Sequence, residues 1–377
     1  MTWPIPKLKL IAYPKPISLR IWMPILAVVA AGSAAAVLLL WPQGRPTQTL
    51  EFWLVLIGAP LVACALTFGW KLDSWENHQT HAEESELEQQ QIMERWRGWC
   101  RRQLHIAGAK ALLPVAEGIT AFADPGASFL VNKERAVGFA WSKGRSAAVR
   151  RNRVLHLIAR EFASALRSRR EMPVTLMLDD ALIEQEQDWA TDLQRMFRRV
   201  LPDVVFHVET RPAVDGVRWL MRQVDLAHPV PQLVIAAQLW PDDDEERAFS
   251  EGAAAFLLDP DAAQAARIFR PSITTRDNLK AAFAQIMHMQ ILPGRLVQIW
   301  STGSEDESAA INSAIPADSE ASVSQCLIDG VTGNPGSASG WIALAIALEA
   351  AQGAGPQLVV WREPASEPVY LCTVEPA

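Results

Sequence analysis

The sequence predicts an α/β domain carried behind a pair of membrane-spanning helices. Three observations predict it. Two long uncharged stretches, residues 21–41 and 52–70, lie near the start of the 377-residue chain. From Pro173 onward, short uninterrupted apolar runs alternate with segments of helical periodicity, the pattern of strands buried under helices. Near the end, residues 327–361 read as a short apolar strand, a glycine-rich turn, a nearly uncharged helix and a second apolar strand.

The first stretch has 21 residues and the second 19. Either is long enough to cross a hydrocarbon core of ~30 Å as a helix. Trp22, Trp41, Trp53 and Trp70 stand at their ends, where indole rings prefer the interface. Two spans in succession, with no small-residue cleavage site, argue against a signal peptide. Lys7, Lys9, Lys15 and Arg20 precede the first span, whereas Arg45 is the sole basic residue of the short loop. Lys71, Arg95, Arg97, Arg101 and Arg102 follow the second span. Basic residues stay inside, so both termini are expected in the cytoplasm of a multi-pass, bacterial inner-membrane protein. The prolines and tryptophans near the start read as interfacial anchoring, with residues 1–20 a basic cytoplasmic tail.

Residues 71–104 are polar, with acids first and arginines last, and read as a helical stalk. Residues 143–170 carry nine basic side chains threaded by apolar residues at helical spacing. They read as one amphipathic helix. Arg150, Arg151, Arg153, Arg160 and Arg167 are its candidate lipid contacts, each worth about 1 kcal/mol near an anionic surface. A solvated face balanced by nearby acids is an equal alternative.

Beyond Pro173 the pattern gives strands at 174–178, 204–208, 233–237 and 296–300, with helices at 183–200, 217–226 and 278–289. The last unit opens at the turn 330–340 and continues as a helix over 341–351, whose one charge is Glu349. So apolar a helix is enclosed on most sides. Glycine-rich turns that open buried helices usually carry chemistry, yet this one offers only Asn334, Ser337 and Ser339 as polar side chains.

Composition excludes several classes. A net charge of −7 gives no electrostatic footprint for nucleic acid. Cys64, Cys100, Cys326 and Cys372 form no CxxC pair, and the seven histidines form no HxxxH pair. No metal or other cofactor is therefore expected. Cys326, on a strand before the turn, reads as inert packing. The acidic run 242–246 reads as a helix start, and residues 303–324 as a surface loop.

Four segments, in order, resemble motifs of the β-ketoacyl synthases in the thiolase-like superfamily. Residues 250–258, SEGAAAFLL, are similar to the family's GEGAAALVLE segment. Residues 333–340, GNPGSASG, resemble its GHTxAAAG turn, and 299–304 stand where AHGTGT is expected. Residues 210–216, followed by a helix and LVIAAQ, resemble the nucleophile elbow. The resemblance covers roughly residues 173–377 and implies a layered fold of two βαβ-type halves, about 105–260 and 261–377.

It also implies a site without its chemistry. The position of the attacking cysteine is Ala213. The two histidines become Trp300 and Asn334, and the lysine becomes Asp329. Alanine has no nucleophile, tryptophan has no acid–base group, and an amide cannot shuttle a proton. The resemblance thus implies a degenerate, non-catalytic domain that works by binding a protein client. It is similar to accessory proteins found with type VI secretion effectors, where loading or docking is the implied role. Thiolase-like domains pair through a sheet edge, which implies a homodimer. A membrane-tethered acyltransferase or condensing enzyme with rearranged residues stays open as the alternative.

Overall fold

The computed structural model describes residues 3–6, 8–122, 132, 134–242, 247–262, 265–291, 295–303, 309–311, 313, 323–350, 355–363 and 367–376. The chain divides into two compact units, Pro6–Arg95 and a larger one made of Met1–Ile5 with Trp96–Ala377.

The smaller unit is a helical hairpin. Helix α1 (Leu19–Leu40) and helix α2 (Leu50–Cys100) are long and apolar enough to cross a membrane. Their most apolar windows have mean hydropathy 2.3 and 2.1 and are 0% and 6% buried, unlike the helix of a soluble core. The helices meet through Trp22 and Phe68, ring centroids 6.5 Å apart, and through Trp41 and Phe52 at 5.0 Å. The second apolar stretch and the stalk are one uninterrupted helix, because no Gly or Pro separates them in the polar part. That helix stops at Cys100, short of the expected end of the stalk at 104. Residues before α1 run beside its polar half: Trp75 Nε1 donates to the Lys15 carbonyl and Gln89 Nε2 to that of Lys9, both at 3.0 Å.

In the larger unit the strands are β1 (Gln103–Leu112), β2 (Glu171–Leu178), β3 (Val205–Pro212), β4 (Gln232–Gln238), β5 (Gly252–Leu258), β6 (Ala266–Phe269), β7 (Ser272–Thr274), β8 (Gln298–Ser301), β9 (Ser324–Leu327), β10 (Gln357–Arg362) and β11 (Val369–Glu375). Among the described residues these eleven form one mixed sheet, in the order β3-β2-β4-β5-β1-β6-β11-β10-β8-β9, with β7 on β11. Outward from the β1–β6 seam both sides follow one rule. Two antiparallel pairings come first (β1–β5 and β5–β4; β6–β11 and β11–β10). Two parallel pairings follow (β4–β2 and β2–β3; β10–β8 and β8–β9). The topology therefore repeats itself within the domain.

Helices α3 (Ala147–Glu161), α4 (Ala163–Leu166), α5 (Asp180–Ile183), α6 (Glu186–Val200), α7 (Gly216–Val224), α8 (Leu279–Met289), α9 (Asp329–Thr332) and α10 (Ser339–Glu349) complete the unit. Strands β4 and β5 explain their uninterrupted apolar sequences. Leu233, Ile235, Ala253, Ala255 and Leu257 join a core beneath α3 and α6. Val234, Ala236, Ala254, Phe256 and Leu258 enter a second core around α7 and α10. Side chains alternate between faces, and both faces are covered. Helix α10 touches β1 and β5 from one side of the seam and β8, β10 and β11 from the other. Nine of its residues are buried. Glu349, at its end, is neutralised by the Lys110 ammonium and accepts the Ala111 N–H at 2.8 Å, tying the helix to β1.

Two expectations need correction. The basic stretch 143–170 is not one amphipathic surface helix. It breaks at Phe162 between α3 and α4, and Arg150 and Arg151 are buried, 5% and 6% exposed. Arg150 pairs with Glu251 at 3.2 Å and Asp242 at 3.3 Å, and Arg151 with Asp192 at 2.6 Å. These two arginines are enclosed by acids and available to no lipid; Arg153, Arg160 and Arg167 stay exposed. Trp3 is no interfacial anchor either. It is buried in the larger unit, its Nε1 donates to the Pro271 carbonyl at 3.2 Å, and it meets Trp99 edge to face.

Candidate functional site

Two strand-to-helix turns occupy corresponding places in the repeated topology. In the first, β3 ends at Pro212, one 3-10 turn covers Ala213–Asp215, and α7 begins at Gly216. In the second, β9 ends at Leu327, α9 follows, and α10 begins at Ser339. The two helix starts press together. A Cβ on Gly216 would stand 2.3 Å from Trp341 Nε1, so only glycine permits the contact.

The glycine-rich turn is shaped by the same demand. Gly333 has φ +84°, in the left-handed region, and a Cβ there would strike the Arg135 carbonyl at 2.4 Å. Gln238, at the end of β4, clamps the turn. Its Nε2 donates to the Ser250 carbonyl at 2.8 Å, and its Oε1 accepts from the Ala338 N–H at 3.0 Å.

The four positions implied by the resemblance are shared between two clefts and the core. Ala213 is buried and lines one cleft with Ser337, Trp341, Trp361 and Glu363. Asn334 and Asp329 line a second cleft with Thr302, Ser250 and Ser339. Trp300 lines neither. It is fully buried, its Nε1 donates to Gln357 Oε1 at 2.6 Å, and its ring meets Phe122 edge to face at 5.9 Å. Asn334 is a lock for the turn. Its N–H donates to the Arg135 carbonyl at 2.9 Å, its carbonyl accepts from the Ser250 N–H at 2.9 Å, and its Nδ2 donates to the Ala248 carbonyl at 3.3 Å. The Asp329 carboxylate accepts from the Gly303 N–H. In the second cleft the Thr302 and Ser339 hydroxyls are buried without partners among the described residues, donors suited to a small polar group.

Both clefts are small. Their cavity volumes are about 10 and 20 Å³, room for one or two waters. Among the described residues no cluster of His, Cys, Asp and Glu has the arrangement of a metal site. Burial pushes the Cys326 thiol up to about 11, so it is almost wholly protonated at neutral pH. The acidic run falls mostly outside the described residues; Asp242 caps α3 through the Ala147 N–H and pairs with Arg150. The stretch 303–324 lies largely outside them as well.

Glu363 is the polar group that motif reading misses. It stands immediately after β10, 7% exposed. Burial first, and then the Asp180 and Asp215 carboxylates, push its carboxyl up to about 7. The signal available in the sequence was its place just past an apolar strand, since open α/β sheets put their sites at the carboxyl ends of strands.

Solved structures of condensing enzymes are similar to this chain in fold. AbyA1, a tetronic acid condensing enzyme, superposes with a TM-score of 0.50 at 12% identity, over 73% of this chain and 100% of that one. 3-Oxoacyl-[acyl-carrier-protein] synthase III from Aquifex aeolicus gives 0.47 at 12% identity, over 72% and 99%. OleA from Xanthomonas campestris, in a variant form, gives 0.44 at 13%, over 73% and 98%. At these identities the likeness is one of fold. No family model matches the sequence, and no curated protein is recognisably similar to it.

Proposed function

We infer that this chain is a membrane-anchored, non-catalytic binding protein built on a condensing-enzyme fold. It serves as an adaptor or scaffold for a protein client at the bacterial inner membrane. One observation carries the reading. The elbow presents Ala213, and the side chains that would have to assist a nucleophile there are committed elsewhere, Trp300 to Gln357 and Asn334 to Ala248. A cavity of about 10 Å³ beside Ala213 admits no acyl chain.

The hairpin supports the localisation. Trp3 and the chain from Trp96 onward belong to one unit, so the hairpin's two ends lie on the same side of any bilayer it crosses. The basic residues around the hairpin favour the cytoplasmic side. Exposed Arg153 and Arg160, seven residues apart on one face of α3, are suited to anionic headgroups; Arg167 is exposed beyond α4. A secretion effector as client is the reading that the type VI resemblance supports.

The test is acyl transfer. The full-length protein in detergent, incubated with radiolabelled acyl-CoA, is expected to retain no label after denaturation. Covalent label that disappears in Cys326→Ala would instead establish a rearranged acyltransferase.

A further inference from the structure

One end of the sheet gathers arginines that no acid answers. Strands β1 and β4 both run antiparallel to β5, and β2, β3 and β4 run parallel to one another. Their register is level: Ile106 and Gln232 both pair with Leu258, Leu233 pairs with Val174, and Val174 with Val208. Strands β1 to β4 therefore begin at the same end of the sheet, and the chain enters β1 there directly after α2.

Exposed arginines collect at that end. Arg160 stands in the last turn of α3, and Arg167 and Arg170 lie between α4 and β2. Arg198 and Arg199 stand in the last turn of α6, before β3, and Arg222 in that of α7, before β4. The Val205 N–H donates to the Arg170 carbonyl at 2.9 Å, which ties two of these connections together. Among the described residues none of these arginines forms an ion pair, whereas Arg169 pairs with Asp259 and Arg195 with Asp192. The acids exposed nearby are Glu161, Glu171, Asp203 and Asp261, and Glu171 has His207 at 3.6 Å. Asp225 is shared by Arg102 and Arg270. Positive charge thus prevails here, on a chain whose net charge is −7.

Apolar side chains stand among the arginines. Val205, at the start of β3, is 54% exposed, and Val230, just before β4, is 57% exposed. Only β2 separates β3 from β4, and neighbouring strands lie ~4.8 Å apart, so both valines belong to one patch. An acidic protein would be met by charge alone. Exposed valines among arginines suit a surface with an anionic outer layer and hydrocarbon beneath it.

We propose that this end of the domain rests on the anionic phospholipid headgroups of the bilayer that holds the hairpin. The contact presupposes the membrane hairpin, and it extends the headgroup site from α3 to the end of α6 and the starts of β2 and β3.

Hydrogen exchange of the full-length protein in nanodiscs tests it. Discs of phosphatidylcholine alone are compared with discs that also contain phosphatidylglycerol. Amides of 167–171 and 201–206 should exchange roughly tenfold more slowly in the anionic discs. Those of β10 should exchange equally in both. The difference should vanish at about 1 M salt, where the Debye length is about 3 Å. Arg198→Gln with Arg199→Gln should lose the protection over 201–206, and Arg198→Lys with Arg199→Lys should keep it. Equal exchange in the two kinds of disc, protection that survives the salt, or undiminished protection in the glutamine variant overturns the contact. Protection conferred by polyglutamate and not by phosphatidylglycerol also overturns it, and assigns the arginines to an acidic protein. Alkaline carbonate extraction reads the hairpin separately. A chain that stays in the membrane without lipid-dependent protection keeps its spans and loses this contact; a chain that carbonate removes loses both.

Discussion

At the scale of single residues, Glu363 carries the sharpest pH dependence. Its carboxyl sits at about 7 in the folded protein, against an ordinary value of 4.5. Between those values the folded state keeps a proton that the unfolded chain releases. The stability this proton contributes is complete below pH 4.5 and is lost as pH rises through about 7. Glu363→Gln should therefore match the wild type near pH 4.5 and exceed it at pH 8.5 by roughly 2–3 kcal/mol. Denaturant titrations of both proteins at the two pH values give the answer; an equal gain at both would assign the effect to packing. Trp300 and Asn334 show the limit of motif reading at this scale. That neither is a histidine is plain from their identities. Their actual duties, one tied to Gln357 and the other to Ala248, depend on partners that no spacing rule supplies.

At the scale of elements, α10 is held to β1 by Glu349, which meets both Lys110 and the Ala111 N–H. Glu349→Ala leaves the amide unsatisfied and the ammonium half-buried without its partner. A loss of roughly 1–3 kcal/mol is expected, measured by the midpoint of urea unfolding; an unchanged midpoint would mean that the ion pair is a bystander. The elements that sequence reading found are those with one dominant signal. Strand β4 is a continuous apolar run because both its faces are covered, and α10 is apolar on all sides because strands from both sides of the seam surround it. Strand β1 was missed because its sequence, QLHIAGAKAL, has small residues in place of branched ones, and the stalk reading ran into its start. Strands β6 and β7 are too short to show a period. Strand β11, VYLCTVE, did carry a branched and aromatic signal that the reading passed over. The basic stretch misled because Arg150 and Arg151 find their acids in Glu251 and Asp192, far along the chain.

At the scale of the whole molecule, the hairpin reading predicts sidedness. Alkaline phosphatase fused within the loop 42–49 should be active, and the same enzyme fused after residue 377 inactive; the reverse pattern would invert the orientation. Trp3 adds a constraint of a different kind. The chain leaves the folded domain at residue 6 and rejoins it at residue 96, so everything between is a loop closed by the domain itself. The Pro271 carbonyl and the Gln285 amide that receive Trp3 are synthesised long after both apolar helices. The amino-terminal tail must therefore wait on the side where the domain will fold. On the hairpin reading, a single crossing in place of two would leave the Trp3 indole and its pocket at Pro271 on opposite sides of the bilayer.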